Sequence, residues 1–187
     1  IAERAFSGCT EVENVQLINV ETVGACAFVG CTSLKTVDSG NALKEISESG
    51  FAGNTALENI NFPETLECIG YSAFNDCDGL TELVIGKNVK EIDDNAFYDC
   101  EGLTEIKVYS EELETSSMAF MGCINVKTLY LDTQAAVNEM PVSILENLNE
   151  VVIGETVTEI PQWRFGAGNL TTITIPKSVT VISDDAF

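Results

Sequence analysis

One stretch decides the fold: VKEIDDNAFYDCEGLTEIKV, residues 89–108. Its pattern of apolar positions recurs along the whole chain, and phenylalanine marks the recurrence. The marker rings are separated by 22, 23, 23, 23, 23, 45 and 22 residues, at Phe6, Phe28, Phe51, Phe74, Phe97, Phe120, Phe165 and Phe187. The interval of 45 residues is two periods with one ring missing. A fixed period of roughly 20–50 residues is typical of stacked repeats, in which each unit buries its apolar face against its neighbours.

A second set of positions follows each marker ring. Cysteine comes three residues later in most units, at Cys9, Cys31, Cys77, Cys100 and Cys123. Aliphatic residues then follow, as Leu103, Ile106 and Val108 follow Cys100. The last two of these alternate with polar residues, which predicts a strand with one face buried. The spacing of three from Phe97 to Leu103 predicts a tight helical or 3₁₀-like turn. We expect every periodic phenylalanine and cysteine to belong to the core.

A shorter apolar pair precedes most marker rings, as Val89 and Ile92 precede Phe97. Glycine or proline separates this pair from the preceding strand, because these residues end a strand and turn the chain. The breakers are seen in Phe62-Pro63, Ile85-Gly86, Ile153-Gly154 and Ile175-Pro176. Each coil is therefore predicted to contain a strand, a turn, a short extended segment and a tight turn. Stacked coils would form a parallel sheet along one side.

The pattern Leu-x-x-Ile-x-Ile-Pro-x-x-Val-x-x-Ile-x-x-x-Ala-Phe-x-x-Cys resembles the BspA-like (Treponema-type) leucine-rich repeat, and residues 170–187 follow it closely. The resemblance implies a right-handed, β-rich leucine-rich repeat solenoid. Its parallel sheet would lie on the concave face, with short extended or 3₁₀/helical segments on the convex side. We expect residues 1–187 to form a single leucine-rich repeat domain of about eight units of 22–23 residues. Because the chain begins and ends inside a repeat, we expect a fragment of a longer protein.

The pattern is interrupted between residues 109 and 148. Glu112 and Thr115 replace the short apolar pair before Phe120, and Val142 replaces the next marker ring. Because valine is far smaller than phenylalanine, we expect Met140 or Ile144 to fill the space.

The following unit is also irregular. Gly168 stands in the cysteine position, and Trp163 stands where other units carry asparagine or serine. Trp163 is either an exposed anchor for a partner or a ring that fills space in the irregular coil.

Composition excludes several classes of function. Thirty acidic residues against nine basic ones give a net charge of −21, which repels nucleic-acid phosphates and anionic lipid. The chain has no histidine, the commonest general base and metal ligand. It also has no run of 18 or more apolar residues that would span a membrane. We therefore expect no enzyme, no catalytic residue, no metal and no cofactor.

The periodic cysteines admit more than one interpretation. Neighbouring strands lie about 4.8 Å apart, within reach of a disulfide. However, Cys77, Cys100 and Cys123 form a run of three that cannot all pair in sequence. Metal binding is disfavoured because ligands one repeat apart form a row rather than a tetrahedron. We favour a ladder of buried free thiols that behave as small apolar groups. Cys26 and Cys68 lie off the pattern, and Cys68 is a candidate reactive thiol on the convex surface.

Outward positions of the strands provide the candidate binding surface. One column is polar throughout, and the column two residues later becomes apolar or aromatic in the middle of the chain. The candidate binding patch contains Val84, Lys107, Tyr109, Tyr130 and Val152, bordered by Glu82, Glu105 and Glu150. Exposed aromatic residues with an acidic rim favour protein recognition. Valine and tyrosine are also simply good strand residues.

Two functions are consistent with these features. The first is a binding or adhesion module that recognises a protein or glycan through the solenoid face. The family resemblance implies a bacterial protein at the cell surface or secreted, with host matrix or cell-surface ligands. The alternative is a structural array that holds other domains away from a cell surface and has no ligand of its own.

Overall fold

The computed structural model describes residues 1–166 and 169–187, and it confirms the predicted parallel-strand solenoid. A regular coil contributes a first strand of two to four residues, which we call long, and a second strand of two residues, which we call short. The long strands are β1 (Asn14–Gln16), β3 (Thr36–Asp38), β5 (Asn59–Ile60), β7 (Glu82–Ile85), β9 (Glu105–Val108), β11 (Thr128–Leu131), β12 (Glu150–Ile153) and β14 (Thr172–Thr174). The short strands are β2 (Thr22–Val23), β4 (Glu45–Ile46), β6 (Cys68–Ile69), β8 (Glu91–Ile92), β10 (Glu114–Thr115), β13 (Glu159–Ile160) and β15 (Val181–Ile182).

Both kinds of strand form parallel sheets, and each kind forms two. The long strands are ordered β1-β3-β5 and β7-β9-β11-β12-β14, whereas the short strands are ordered β2-β4-β6-β8-β10 and β13-β15. The strand register aligns equivalent residues of neighbouring coils. In the second long-strand sheet, for example, Leu83 pairs with Ile106 and Ile106 pairs with Leu129. Since side chains alternate across a strand, the buried face of every coil stacks on the buried face of the next.

The turn that carries each marker ring forms a third hydrogen-bonded ladder. The amide of Phe97 donates to the carbonyl of Ala119 at 2.8 Å, and the amide of Asp99 donates to Met121 at 2.9 Å. Within the coil, the Cys100 amide donates to the Phe97 carbonyl at 3.4 Å, as a 3₁₀-like turn requires. Alternate amides therefore point to the next coil, and positive φ angles make this possible, for example 53° at Asp99.

Marker rings stack face to face inside the solenoid. From Phe6 to Phe120 the neighbouring centroids are 5.0, 5.1, 5.4, 5.3 and 5.2 Å apart, and the Phe165 and Phe187 rings are 5.6 Å apart. Six of the eight rings are buried. Phe6 and Phe187 differ from the expectation, because they are 42% and 53% exposed. Each lies in a terminal coil of the structure, with a neighbour on one side only. Cys9, in the first coil, is likewise only partly buried.

The cysteine position is a hydrogen-bond donor as well as a small buried group. The thiol of Cys100 donates to the Phe74 carbonyl of the preceding coil at 3.0 Å, and Cys31, Cys77 and Cys123 repeat this contact at 3.1–3.2 Å. Asn54 occupies the same position and donates to the Phe28 and Phe51 carbonyls. A purely apolar interpretation of this position was therefore incomplete, because it omitted the carbonyl that needs a donor. Gly168, at the same position, lies outside the described residues.

Burial of the thiols also affects their acidity. Desolvation raises the pKa of Cys77 and of Cys123 to about 12, and it raises the pKa of Cys100 well above its usual range. All seven cysteines of the chain are free in the structure. Thiols with such high pKa values hold their protons and remain donors to the carbonyls.

Local substitutions complete the core of the irregular coils. Met140 is fully buried and Ile144 only partly, so methionine fills the space beside Val142. In the preceding coil, Leu113 is buried beside β10. It supplies the apolar surface that is missing because Glu112 and Thr115 replace the short apolar pair.

A helix replaces the short strand in the coil that lacks its marker ring. Helix α1 (Gln134–Glu139) begins at Thr133, whose hydroxyl accepts a hydrogen bond from the Ala136 amide at 3.1 Å. A 3₁₀ turn, Val142–Ile144, follows it. The chain here follows helical rather than strand geometry, and this interrupts the sheet of short strands between β10 and β13.

The Gln134 side chain partly restores the interrupted ladder. Its Oε1 accepts hydrogen bonds from the Thr158 and Glu159 amides at 3.2 Å, and its Nε2 donates to the Glu159 carbonyl at 3.0 Å. In a regular coil, the Lys44 and Glu45 amides donate to a main-chain carbonyl in the same way. A side-chain amide thus takes the place of a peptide group at the start of β13.

Truncating a stacked ring tests the core. We expect Phe97→Ala to lower the free energy of unfolding by about 3–5 kcal/mol, as buried phenylalanine truncations do. Phe187→Ala is the matched control, and because that ring is half-exposed we expect a loss below about 1 kcal/mol. Denaturant unfolding measures both. A loss below about 1 kcal/mol for Phe97→Ala would contradict the stacked core.

Like charges in neighbouring coils predict that the stability of the fold depends on pH. Burial, followed by the charges of Asp99 and Asp78, raises the pKa of Asp76 above its usual value. Ionised Asp76 therefore opposes folding at neutral pH, and this cost disappears as pH falls through its folded pKa. We expect Asp76→Asn to raise stability at pH 7, by at most about 1 kcal/mol since the site is exposed. Asparagine also tolerates the φ of 56°.

Asp185→Asn is the control for this substitution. Asp185 also has a positive φ of 53°, but its main chain contacts Trp163 in the neighbouring coil rather than an acidic residue. We expect no stabilisation there. An Asp76→Asn gain that persisted unchanged at acidic pH would show that charge is not its cause.

Candidate functional site

The long-strand sheet brings most of the candidate binding patch together. Residues Val84, Lys107, Tyr130 and Val152 are consecutive register partners on β7, β9, β11 and β12. A parallel row, two residues earlier on each strand, contains Glu82, Glu105, Thr128 and Glu150. Because main-chain hydrogen bonds hold all four strands, the rows have fixed spacing. We refer to Val84, Lys107, Tyr130 and Val152 as the central row.

Lys107 is held firmly within the central row. Its Nζ lies 2.7 Å from Glu82 Oε1 and 3.4 Å from Glu105 Oε1, and it lies 5.5 Å from the centroid of the Tyr130 ring. Hydrogen bonding to Glu82, the largest cause, raises the pKa of Lys107. The ammonium group therefore stays charged, and its contact with the ring is a cation–π interaction. Lys107 neutralises part of the glutamate row and fixes the aromatic ring beside it.

The exposed surface of the central row is mixed in character. Val84 is 43% exposed, whereas Lys107, Tyr130 and Val152 are partly exposed. Glu150 borders the row and has no salt bridge in the described part of the chain. The row therefore offers apolar and aromatic contact area on a rigid sheet, beside a carboxylate that is free to meet a cation.

Tyr109 lies outside the central row. Strand β9 ends at Val108, so Tyr109 does not continue its alternation. Its ring lines a shallow surface groove of about 600 Å³ with Lys87, Thr133 and Ala135, beside helix α1. The sequence placed Tyr109 in the patch because it lies two residues after Lys107, but the end of the strand turns it towards a different surface.

Trp163 is an exposed side chain rather than a filler of core space. Its ring is 72% exposed, and its φ of 54° lies in the left-handed region that bulky residues rarely adopt. Other units place Ser49, Ser72 or Asn95 at this point, also with positive φ. Of the two interpretations of Trp163, the structure supports exposure.

Cys68 is a poor nucleophile in this structure. It lies on β6 between Glu45 and Glu91, its register partners on the neighbouring strands. Burial, and then the charge of Glu91, raises the pKa of this thiol to about 11. Since the thiolate is the reactive form, these surroundings suppress the reactivity that the sequence suggested. Cys26 is half-buried, with a φ of 54°.

Within residues 1–166 and 169–187, no group of three or more histidine, cysteine, aspartate or glutamate side chains is placed to hold a metal ion. The same ranges contain no helix that is both long and apolar enough to cross a membrane.

Comparison with known proteins gives consistent matches to repeat proteins. The sequence profile described as BspA type leucine rich repeat region matches in six copies, over residues 1–101 and 69–187. The crystal structure of the Treponema pallidum leucine rich repeat protein is 31% identical, with a TM-score of 0.64, covering 82% of this chain and 65% of that one. No curated protein matches the chain.

Two further solved structures resemble the whole chain. A leucine-rich repeat protein from Bacteroides ovatus is 21% identical with a TM-score of 0.53, covering 100% of this chain and 67% of that one. A leucine rich cell surface protein from Faecalibacterium prausnitzii is 22% identical with a TM-score of 0.39, covering 100% of this chain and 73% of that one. The chain spans about two thirds of the length of the Treponema and Bacteroides proteins.

Thiol titration tests the state of the cysteines. We expect all seven thiols to react in denaturant without reductant, because all are free. In the folded protein at pH 8, the pKa of about 11 should make Cys68 react at least about tenfold more slowly than an unperturbed cysteine. Glu91→Gln should accelerate it by removing a charge that raises the pKa. Fewer than seven reactive thiols would reveal a disulfide, and a rapid reaction at Cys68 would contradict the suppressed reactivity.

Proposed function

Because the chain belongs to the BspA-type leucine-rich repeat family, we propose that it is a binding module that recognises a protein through the central row. Leucine-rich repeat domains typically bind proteins, and their sheets supply extended contact surfaces. The observation that carries the proposal is the register of β7, β9, β11 and β12. It aligns Val84, Lys107, Tyr130 and Val152 in one row on a rigid sheet that faces solvent, with Tyr130 between Lys107 and Val152.

The physical properties of the central row suit a protein partner. An aromatic ring held by Lys107 loses little conformational freedom on binding, so less of the contact energy is offset by ordering. Aromatic residues at the centre of an interface, surrounded by a polar rim, are typical sites of strong contact. Here Tyr130 is the central ring, and Glu82, Glu105 and Glu150 form the rim.

Charge favours a partner that is basic around the contact. Several cations of the chain already pair with a glutamate one coil away, as Lys35, Lys44 and Lys90 do with Glu13, Glu21 and Glu67 at 2.8–3.0 Å. The excess charge of −21 is therefore carried by unpaired carboxylates. A field of one sign accelerates the approach of oppositely charged partners and depends on salt.

We place this activity at the cell surface or outside the cell, as an adhesion function towards host matrix or cell-surface proteins. The support is the family to which the chain belongs, since the BspA-like resemblance implies a bacterial protein at the cell surface or secreted. A spacer array without a ligand is the competing function. The main-chain ladders that join most neighbouring coils favour it, because they stiffen the array without any partner.

Binding measurements decide between these functions. We expect the protein to bind at least one immobilised host matrix protein, and Tyr130→Ala to weaken this binding at least about tenfold, as loss of a central aromatic contact does. Tyr71→Ala is the matched control, because Tyr71 is 44% exposed but lies outside the long strands. Tyr109→Ala should have a smaller effect than Tyr130→Ala.

Two results would contradict the proposal. Equal binding by the wild type and Tyr130→Ala would remove the central row as the contact surface. Absence of binding to every matrix protein tested would favour the spacer function. Circular dichroism of each variant shows whether a loss reflects unfolding.

A further inference from the structure

The sheet of long strands is interrupted at one point where the coils remain adjacent. Strands β5 and β7 belong to neighbouring coils, yet they are not paired. On the opposite side of the same two coils, β6 pairs with β8, and inside them the Phe51 and Phe74 rings are 5.4 Å apart. The coils are therefore in contact along two sides and separated along the third. We refer to this opening as the seam.

A missing hydrogen bond defines the edge of the seam. The residue before a long strand donates its amide to the preceding coil, as Thr104 does to the Thr81 carbonyl and Asn149 does to Lys127, both at 2.9 Å. Thr81 stands in the same position before β7, but its amide donates no main-chain hydrogen bond in the described part of the chain. The two strand edges thus face the seam with polar groups that lack the ladder found elsewhere.

Phe62 explains why the strands separate here. Most other coils place an aliphatic residue at this position, such as the buried Leu17, Ile85 and Val108, and the preceding coil places the buried Ser39 there. The larger Phe62 ring is only partly buried, and it packs against Phe74 with centroids 5.6 Å apart and a tilt of 56°. Within the stack from Phe6 to Phe120, the tilt between Phe51 and Phe74 is the largest, at 11° against 2–4° elsewhere. An aromatic ring in an aliphatic position therefore acts as a wedge.

The seam forms a small cleft with a mostly polar lining. Its volume is about 270 Å³, slightly below the range of roughly 300–1,000 Å³ that is usual for ligand pockets. The lining includes Glu58, Asn59, Asn61, Phe62, Thr81 and Glu82. Amide side chains both donate and accept hydrogen bonds, carboxylates accept them, and the partly exposed ring offers a flat apolar surface.

We propose that the seam binds one sugar unit of a glycan. Each hydroxyl of a sugar both donates and accepts a hydrogen bond, which matches the combination of amides, carboxylates and unpaired strand edges. The apolar C–H face of a sugar ring packs on an aromatic side chain such as Phe62. Two carboxylates, Glu58 and Glu82, disfavour a phosphate or another anion. The small volume excludes a folded domain.

This site is separate from the proposed contact with a protein. The central row is formed by β7, β9, β11 and β12, whereas Asn59, Asn61 and Phe62 lie on or after β5. Val84 and Glu82 are shared at the border, since both line the cleft. Variants at Asn61 and Phe62 therefore probe the seam, and Tyr130→Ala probes the row.

Titration followed by amide NMR spectra provides the test. The probes are D-glucose, D-galactose, D-mannose and N-acetyl-D-glucosamine, each added to ¹⁵N-labelled protein. We expect at least one to shift the amide signals of residues 59–62 and 81–84, with a dissociation constant in the millimolar range, as suits a ligand of so few atoms. Asn61→Ala should reduce the affinity at least about fivefold, and Tyr130→Ala should leave it unchanged.

Phe62→Leu tests the origin of the seam independently of any ligand. Leucine restores the aliphatic residue found at Leu17, so β5 and β7 should pair and sugar binding should be lost. Hydrogen exchange reports this pairing directly. In the wild type the Thr81 amide should exchange at least about tenfold faster than the Thr104 amide, which is hydrogen-bonded. In Phe62→Leu the two rates should become similar.

Three outcomes would overturn the proposal. One is that none of the four sugars shifts the seam signals. Another is that shifts occur only outside residues 58–62 and 81–84. The third is that Phe62→Leu retains sugar binding with unchanged affinity. None of these results bears on binding of a protein to the central row.

Discussion

In the regular coils, a residue lies beside the residue that holds the same position in the next coil, and the rest of the structure depends on that constraint. Equivalent residues of neighbouring coils lie about 5 Å apart. When these residues are identical, their side chains must be able to pack against each other at that distance. Phenylalanine rings do so by stacking, at 5.0–5.4 Å from Phe6 to Phe120. Cysteine does so by donating to a carbonyl in the preceding coil rather than to another cysteine. Stacked carboxylates repel each other, and neighbouring lysines reduce this repulsion. Lys107 does so by pairing with both Glu82 and Glu105.

The sequence predicted the features that recur in every regular coil, but not the features that occur in a single coil. Period and alternation were sufficient for the two strands of each coil, the breaker between them and the ring that fills the core. They were insufficient for helix α1, because a single departure from a period does not say what replaces it. Local signals for the helix were present in Thr133 as a cap, the alanines at 135 and 136, and Pro141 after its end. The role of Gln134 had no such signal, because it depends on two amides in the next coil.

The candidate binding surface shows the same division. Alternation placed Val84, Lys107, Tyr130 and Val152 on one face, since the register of a solenoid follows from its period. Tyr109 required knowledge of where β9 ends, which the alternation of side chains does not provide. The seam had a visible signal in Phe62, the one phenylalanine that departs from the period. Its consequence was hidden, because a ring in an aliphatic position can be accommodated by repacking as well as by separation of strands.

The two interruptions of the sheets have a mechanical consequence. At one, the long strands β5 and β7 are unpaired while the short strands β6 and β8 pair. At the other, helix α1 replaces a short strand between β10 and β13 while the long strands continue. Each interruption is thus backed by a continuous sheet on the other side of the coils. At both interruptions, main-chain hydrogen bonds therefore still join the neighbouring coils on the opposite side, so in the described part of the chain no boundary between coils lacks both kinds of strand pairing.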